Sequence, residues 1–215
     1  LLTMPGVGHL FEYRAQRPVV SNNFGDDIGR ENYDRVTRYF STESETEADS
    51  IARELRARYV VATARSPRRP ASTSREMLDR LVYGDGNGLA GMRLVFEASR
   101  LGVNSRQDVP PPKVFERIPG ARVSGRAAPG QLVLAQIPVR TNRGRQFTYR
   151  QQTRADSDGH YAFRLPYASR PPTHPEATWR LESGGEERSF DLSEAAVRAG
   201  LAVTGPNFGS RGPLR

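Results

Sequence analysis

Hydrophobic periodicity divides this chain near its middle. Before the proline run Pro110–Pro112 the apolar residues recur mainly at helical spacing, and well past it they alternate. Leu10 and Tyr13, with Phe11 beside them, share one side of a short helix. That helix must end before Arg17-Pro18, because a residue ahead of proline is held out of the α region. Pro18 then starts an extended piece, Val19-Val20, before a polar turn at Asn22-Asn23. Tyr33, Val36, Tyr39 and Phe40 fall at helical spacing, as do Ala48, Ile51, Ala52 and Leu55. The second of these helices has acids first (Glu43, Glu45, Glu47, Asp49) and arginines last (Arg53, Arg56, Arg58), the polarity that suits the helix dipole. A third helix carries Met77, Leu78, Leu81 and Val82, with Ser72, Thr73 or Ser74 available as its cap. Tyr59–Ala62, Gly91–Glu97 and Lys113–Arg117 read as strands among these helices.

Beyond Pro119-Gly120 the period is two. Leu132, Leu134 and Gln136 oppose Val133, Ala135 and Ile137, and Phe147 and Tyr149 share a face of the next strand. Asp156–Gly159 makes a turn into a partner strand with Tyr161, Phe163 and Leu165 inward. Gly184-Gly185 joins a last hairpin, and Trp179, the only tryptophan, belongs in its core. Ser193 caps a helical turn that Gly200 ends. The expected fold is therefore α+β: a mixed α/β core domain over 1–118, a β-sandwich module over 119–204, and a flexible tail over 205–215.

Charge changes this picture little. The 215-residue chain has a formal net charge of +8, and Lys113 is its only lysine. A basic chain could bind nucleic acid or an anionic membrane. Its arginines are scattered, however, apart from Arg65–Arg69, and are not interleaved with aromatics on one strand face, so no nucleic-acid partner is expected. Without cysteine there is no disulfide, thiolate metal site or cysteine nucleophile. No run of 18 apolar residues and no signal peptide is visible, and the opening Leu1-Leu2-Thr3-Met4-Pro5 reads as the start of a piece of something longer.

Candidate chemistry is sparse. His9 has no serine or cysteine at nucleophile spacing and reads as a capping or packing residue. Asp26-Asp27 could ligate a metal or do acid–base work, or cap the following helix. Gly84-Asp85-Gly86-Asn87-Gly88 resembles a phosphate cradle only in its glycines, since no GxxxxGK[ST] is present. Asp156-Ser157-Asp158-Gly159 has His160 where a calcium loop needs its third ligand, which favours a hairpin turn.

Lys113-Val114-Phe115-Glu116, followed by Pro119-Gly120-Ala121, Val123 and Gly125, resembles the join in the soluble C-terminal region of archaeal-type single-subunit oligosaccharyltransferases. The resemblance runs in one order from about residue 5 to 204. It takes in the opening helix, the Tyr59-Val60-Val61 strand and the Arg93-Leu94-Val95-Phe96-Glu97 strand. It ends with Phe147-Thr148-Tyr149 and Asp156–Gly159, a pattern also similar to carboxypeptidase-regulatory-like sandwiches. The resemblance implies an acceptor-side domain on the extracytoplasmic face, anchored by an N-terminal multi-span region. Its partners would be an acceptor polypeptide and, through the membrane part, a lipid-linked oligosaccharide that is moved to asparagine. No cofactor is implied in this fragment, and a divalent metal, Mn or Mg, is implied in the membrane part. By position, Met4, Pro5, Gly6, Val7, Gly8 and His9 are the acceptor-peptide region. Gly8 matches the glycine of the family's Trp-Trp-Asp-Tyr-Gly motif, while Met4-Pro5-Gly6-Val7 replaces the four residues that hold the acceptor's Ser/Thr. The helix-to-strand stretch ends in Ala62-Thr63-Ala64-Arg65, where the family places further pocket residues, with Met77 on a later helix. The alternative is a non-enzymatic extracellular β-sandwich module for assembly or carbohydrate binding.

Overall fold

Residues 1–22, 30–64, 75–99, 110–170 and 177–209 are described by a computed structural model. Asn23, the acids Asp26-Asp27, the Arg65–Arg69 cluster, the possible caps Ser72 to Ser74 and the loop residues Pro171–Pro175 lie outside the described residues. The chain forms two units: Leu1–Gly86 with Leu94–Arg117, and Asn87–Arg93 with Ile118–Arg215. The excursion at Asn87–Arg93 has no counterpart in a division read from sequence alone.

The first unit runs β1 (Leu2–Thr3), a 3-10 turn (Pro5–Val7), α1 (Gly8–Ala15), α2 (Arg30–Ser41), α3 (Glu45–Glu54), β2 (Tyr59–Ala62) and α4 (Met77–Val82). Strands β3 (Met92–Glu97) and β4 (Lys113–Arg117) follow. The sheet order is β1-β2-β4-β3, with β1 parallel and β4 antiparallel to β2. Ser44 caps α3 by accepting from the Glu47 amide. Arg38 of α2 pairs with Glu47 at 2.6 Å, and that bond, ahead of one from Thr42, holds the Glu47 carboxyl below its ordinary pKa. Val36, Phe40, Ile51, Leu78, Leu81, Val60 and Phe115 fill the core. Burying side chains of this kind contributes about 1.5–3 kcal/mol each.

Polar groups also enter this core. Lys113 is buried: its Nζ donates to the Val82 carbonyl at the end of α4 and pairs with Asp85 at 2.7 Å. Asp85 sits at φ 56°, a left-handed position that the ion pair helps to hold. Glu116 of β4 is buried and receives two bonds from Arg58, while Arg117 reaches the Ala57 carbonyl and Asp49. Tyr39 is fully buried, and its hydroxyl has no hydrogen-bond partner among the described residues. Burial, reinforced by Asp49 and Glu45, pushes the acidity of that hydroxyl out of reach.

Several expectations change here. Val19-Val20 forms no strand; the Val20 amide instead bonds the Leu1 carbonyl beside β1. Leu10 and Tyr13 lie on the exposed side of α1, and Phe96 of β3 is 48% exposed. Met77 is buried at the start of α4, where its amide bonds the Thr42 carbonyl.

The second unit contains β5 (Ala121–Arg126), β6 (Leu132–Arg140), β7 (Gln146–Arg154), β8 (His160–Leu165), β9 (Trp179–Ser183), β10 (Glu186–Phe190), α5 (Glu194–Ala199) and β11 (Ala202–Thr204). One sheet has the order β10-β9-β6-β7 and the other β11-β5-β8. Both sheets send side chains into one core: Val123, Ile137, Tyr149, Tyr161, Phe163, Leu165, Trp179 and Leu181. This is a β-sandwich. The aromatics carry polar handles as well as area. Tyr149 Oη donates to the Leu89 carbonyl at 2.9 Å, Trp179 Nε1 to the Tyr167 carbonyl at 2.9 Å, and Tyr161 Oη to the Pro206 carbonyl. Arg93 is clamped by Glu194 at the start of α5 through bonds of 2.8 and 2.9 Å.

Asp156 Oδ1 accepts from the amides of Asp158 and His160, so this carboxylate closes a hairpin turn. The stretch from Gly205, read as a tail, stays on the sheet as far as Phe208. Gly205 bonds Ser124, Phe208 bonds Arg126, and the Phe208 ring is buried against the core. Its aromatic area, invisible to a composition rich in glycine and proline, is what holds it.

Candidate functional site

Parallel pairing of β1 with β2 positions the candidate residues of the first unit. Leu2 stands opposite Val60 and Thr3 opposite Val61, so both strands end at the same side of the sheet. Met4 leaves β1 and Thr63 follows β2 at that shared end. The carboxyl ends of neighbouring parallel strands are where open α/β sheets place their ligand sites. Two segments almost sixty positions apart in sequence thus emerge side by side.

From Met4 the chain turns at once. The Val7 amide donates to the Met4 carbonyl at 3.1 Å, closing the 3-10 turn, and α1 starts at Gly8. Gly8 is buried, and a Cβ there would run into the Ser21 carbonyl and come within 2.9 Å of Asn22 Cα. Only glycine lets the helix start pass so close to that segment. Asn22 Nδ2 then donates to Glu12 of α1 at 3.0 Å, tying the returning chain to the helix. No side chain caps the amino end of α1 at Val7, so the positive end of its dipole lies in this turn. His9 is half-buried in the first turn of α1.

The geometry separates the expected site residues. Met4, Gly6, Val7, Gly8 and His9 lie on one continuous turn beside the Thr63-Ala64 end of β2, and Pro5 occupies the same 3-10 turn. Met77 does not join them, being packed in the core. Thr3, buried at the end of β1, was missed by the sequence reading, because a strand of two residues leaves no alternation to detect. A separate cavity of about 410 Å3 lies at the opposite end of the same strands, lined by Leu1, Val19, Val20, Leu55 and Ala57 among others. Among the described residues no group of three or more His, Asp or Glu is placed to hold a metal ion.

Two family models match the chain. One, described as the AglB core domain, covers residues 3–66 and so contains both strand ends of the site. The other, described as the archaeal glycosylation protein B long peripheral domain, covers residues 120–203. The dolichyl-monophosphooligosaccharide–protein glycotransferase AglB of Haloferax volcanii is 34% identical over 96 residues. The chain belongs to the AglB family of archaeal oligosaccharyltransferases. The match takes in 44% of this chain but 8% of the Haloferax protein. AglB of Archaeoglobus fulgidus, solved with an inhibitory peptide and a dolichol-phosphate, superposes with a TM-score of 0.78 at 19% identity, over 94% of this chain and 36% of that one. The same protein tethered to an acceptor peptide containing the NVT sequon gives 0.77 at 19% identity, over 94% and 37%. These likenesses establish an AglB fold, mixed α/β with several sheets. No helix among the described residues is long and apolar enough to cross a membrane.

Proposed function

We propose that this chain is the acceptor-side globular region of a membrane-anchored oligosaccharyltransferase, held on the extracytoplasmic face by a multi-span part. The full protein moves a lipid-linked oligosaccharide to asparagine of an acceptor polypeptide. The observation that carries this reading is the shared end of β1 and β2, which brings the Met4–His9 turn beside Thr63-Ala64 within the segment matched as an AglB core. The turn positions an extended acceptor chain, with the amino end of α1 offering amides to its carbonyls. Met4, Pro5, Gly6 and Val7 have no side-chain hydrogen-bond donor among them. They therefore hold the peptide by backbone and apolar contact, and select weakly for the acceptor's Ser/Thr. A divalent metal, Mn or Mg, belongs to the membrane part. The described residues of this chain offer it no ligand cluster.

The test is transfer of lipid-linked sugar to an asparagine peptide by the full-length protein, with and without this region. Full activity without it overturns the acceptor-side role. Changing the peptide's Thr to Ala should lower transfer by less than about tenfold, since a site lacking the polar partner discriminates poorly against the missing hydroxyl.

A further inference from the structure

In the second unit the outward side chains of β6, β7 and β9 form an uncommitted row of donors. Gln136 of β6 stands opposite Arg150 of β7 on one side and Arg180 of β9 on the other. In the next row Leu134 stands between Gln152 and Glu182. No hydrogen bond or ion pair among the described residues uses the guanidinium of Arg150 or Arg180, or the amide of Gln136 or Gln152. Two other arginines of this unit, Arg93 and Arg198, pair with Glu194. The two free guanidinium groups rise from strands separated by two sheet spacings, about 10 Å.

A wall stands beside this row. Asn87 Oδ1 accepts from the Arg150 amide at 2.7 Å, and the Leu89 carbonyl accepts from Tyr149 Oη at 2.9 Å. These bonds fix the segment between them against the edge of β7. The result is an open groove of about 440 Å3, lined by Gly88, Ala90, Leu134, Arg150, Gln151 and Gln152. That size falls within the roughly 300–1,000 Å3 of small-molecule sites.

We propose that this groove binds an anionic saccharide, a sugar ring carrying a carboxylate. Arg150 takes the carboxylate with its planar fork. Gln152 and Gln136 supply amide donors and acceptors for ring hydroxyls, and Leu134 with Ala90 gives the ring an apolar floor. Other occupants fit less well. A nucleic-acid strand needs stacking aromatics, and the outward positions of these strands hold none. An added peptide strand needs the open edge of β7, where the Arg150 amide is already taken by Asn87. This proposal is independent of the acceptor-side reading, because the groove lies wholly in the second unit.

Calorimetric titration of the full chain with sodium glucuronate, glucose and sodium acetate at matched ionic strength tests it. Glucuronate should bind at least tenfold more tightly than either glucose or acetate. Arg150→Ala, which removes no described side-chain contact, should weaken glucuronate at least tenfold at unchanged melting temperature. Gln152→Ala should weaken it several-fold, and Arg122→Ala on the other sheet should leave it unaltered. If acetate binds as well as glucuronate, the site is for an adventitious ion only and the proposal fails. It fails equally if none of the three binds, or if Arg150→Ala leaves glucuronate binding intact. Should Arg150→Ala fail to fold, Arg180→Ala and Gln152→Ala decide by the same criterion.

Discussion

The two units bury polar groups with different emphasis: the first leans on ion pairs, while the second, beside its Arg93–Glu194 pair, leans on hydrogen-bonded aromatics. In the first, the buried Lys113 pairs with Asp85, the buried Glu116 pairs with the exposed Arg58, and Asp49 pairs with Arg117. In the second, aromatic side chains are buried with one neutral donor each, and each donor holds a segment outside the sheets: Leu89, Tyr167 or Pro206. A charge pair is strong while both members stay and costly once one is lost. A bonded aromatic combines a large apolar area with a single directional bond, so its loss falls first on packing. Three of the buried tyrosines make the contrast sharp. Tyr149 and Tyr161 donate to backbone carbonyls, whereas the Tyr39 hydroxyl has no described partner.

The largest expected effect is Trp179→Ala. It empties the centre of the sandwich and should cost about 3–5 kcal/mol. Hydrogen exchange should then show protection lost around Phe147 and kept around Val60. Equal loss at both places would mean that the units unfold together and would break the comparison. Lys113→Ala should come next, at about 3 kcal/mol, because Asp85 and the Val82 carbonyl are left without their cation. Its exchange pattern should be the mirror image, with protection lost around Val60. Gly120→Val is smaller, roughly 1–3 kcal/mol. Gly120 sits at φ 73°, and a Cβ there would lie 3.1 Å from the Ala90 carbonyl and 3.0 Å from Arg164 Cγ. A chemical-denaturation midpoint measures it.

The smallest effects concern the tyrosines. Tyr161→Phe should cost about 1 kcal/mol, the net worth of a hydrogen bond. Tyr39→Phe should cost nothing or stabilise, since it removes a buried hydroxyl with no partner. Alkaline pH gives a second view. Burial pushes the Tyr161 hydroxyl up to about 12, from an ordinary value of 10.0. The unfolded chain therefore loses this proton first, and stability present below pH 10 should fall as pH rises toward about 12. Phenolate absorbance should show a late-titrating group that Tyr161→Phe removes. Loss of an early-titrating group instead would place that hydroxyl in water.

Legibility in the sequence followed the length of the pattern. The hairpins of the sandwich, Trp179 at its centre and the Ser193 and Gly200 caps were readable, because nine-residue alternation and capping chemistry are local. The capped helix α3 and the strand β2 were readable for the same reason. Strand β1 was not, since two residues carry no period, and with it went the pairing that assembles the candidate site. The Met4–His9 turn and the Ala62–Arg65 stretch came from resemblance, while their meeting at one end of the sheet came only from topology. Phe208 was lost in a segment whose composition suggested no anchor. The groove beside β7 was hidden for another reason: Arg150, Gln136 and Arg180 are ordinary outward residues until the register sets them in a row.

Lys113 is the only lysine and it is buried, so the folded described chain offers amine chemistry no side-chain target. Acylating labels and amine cross-linkers, which ordinarily decorate a protein at random, should find no accessible side chain in this folded region. Within these 215 residues a lysine-specific protease has a single bond to cut, and that bond lies at the start of the paired strand β4. Cleavage at this bond therefore reports how often the first unit opens.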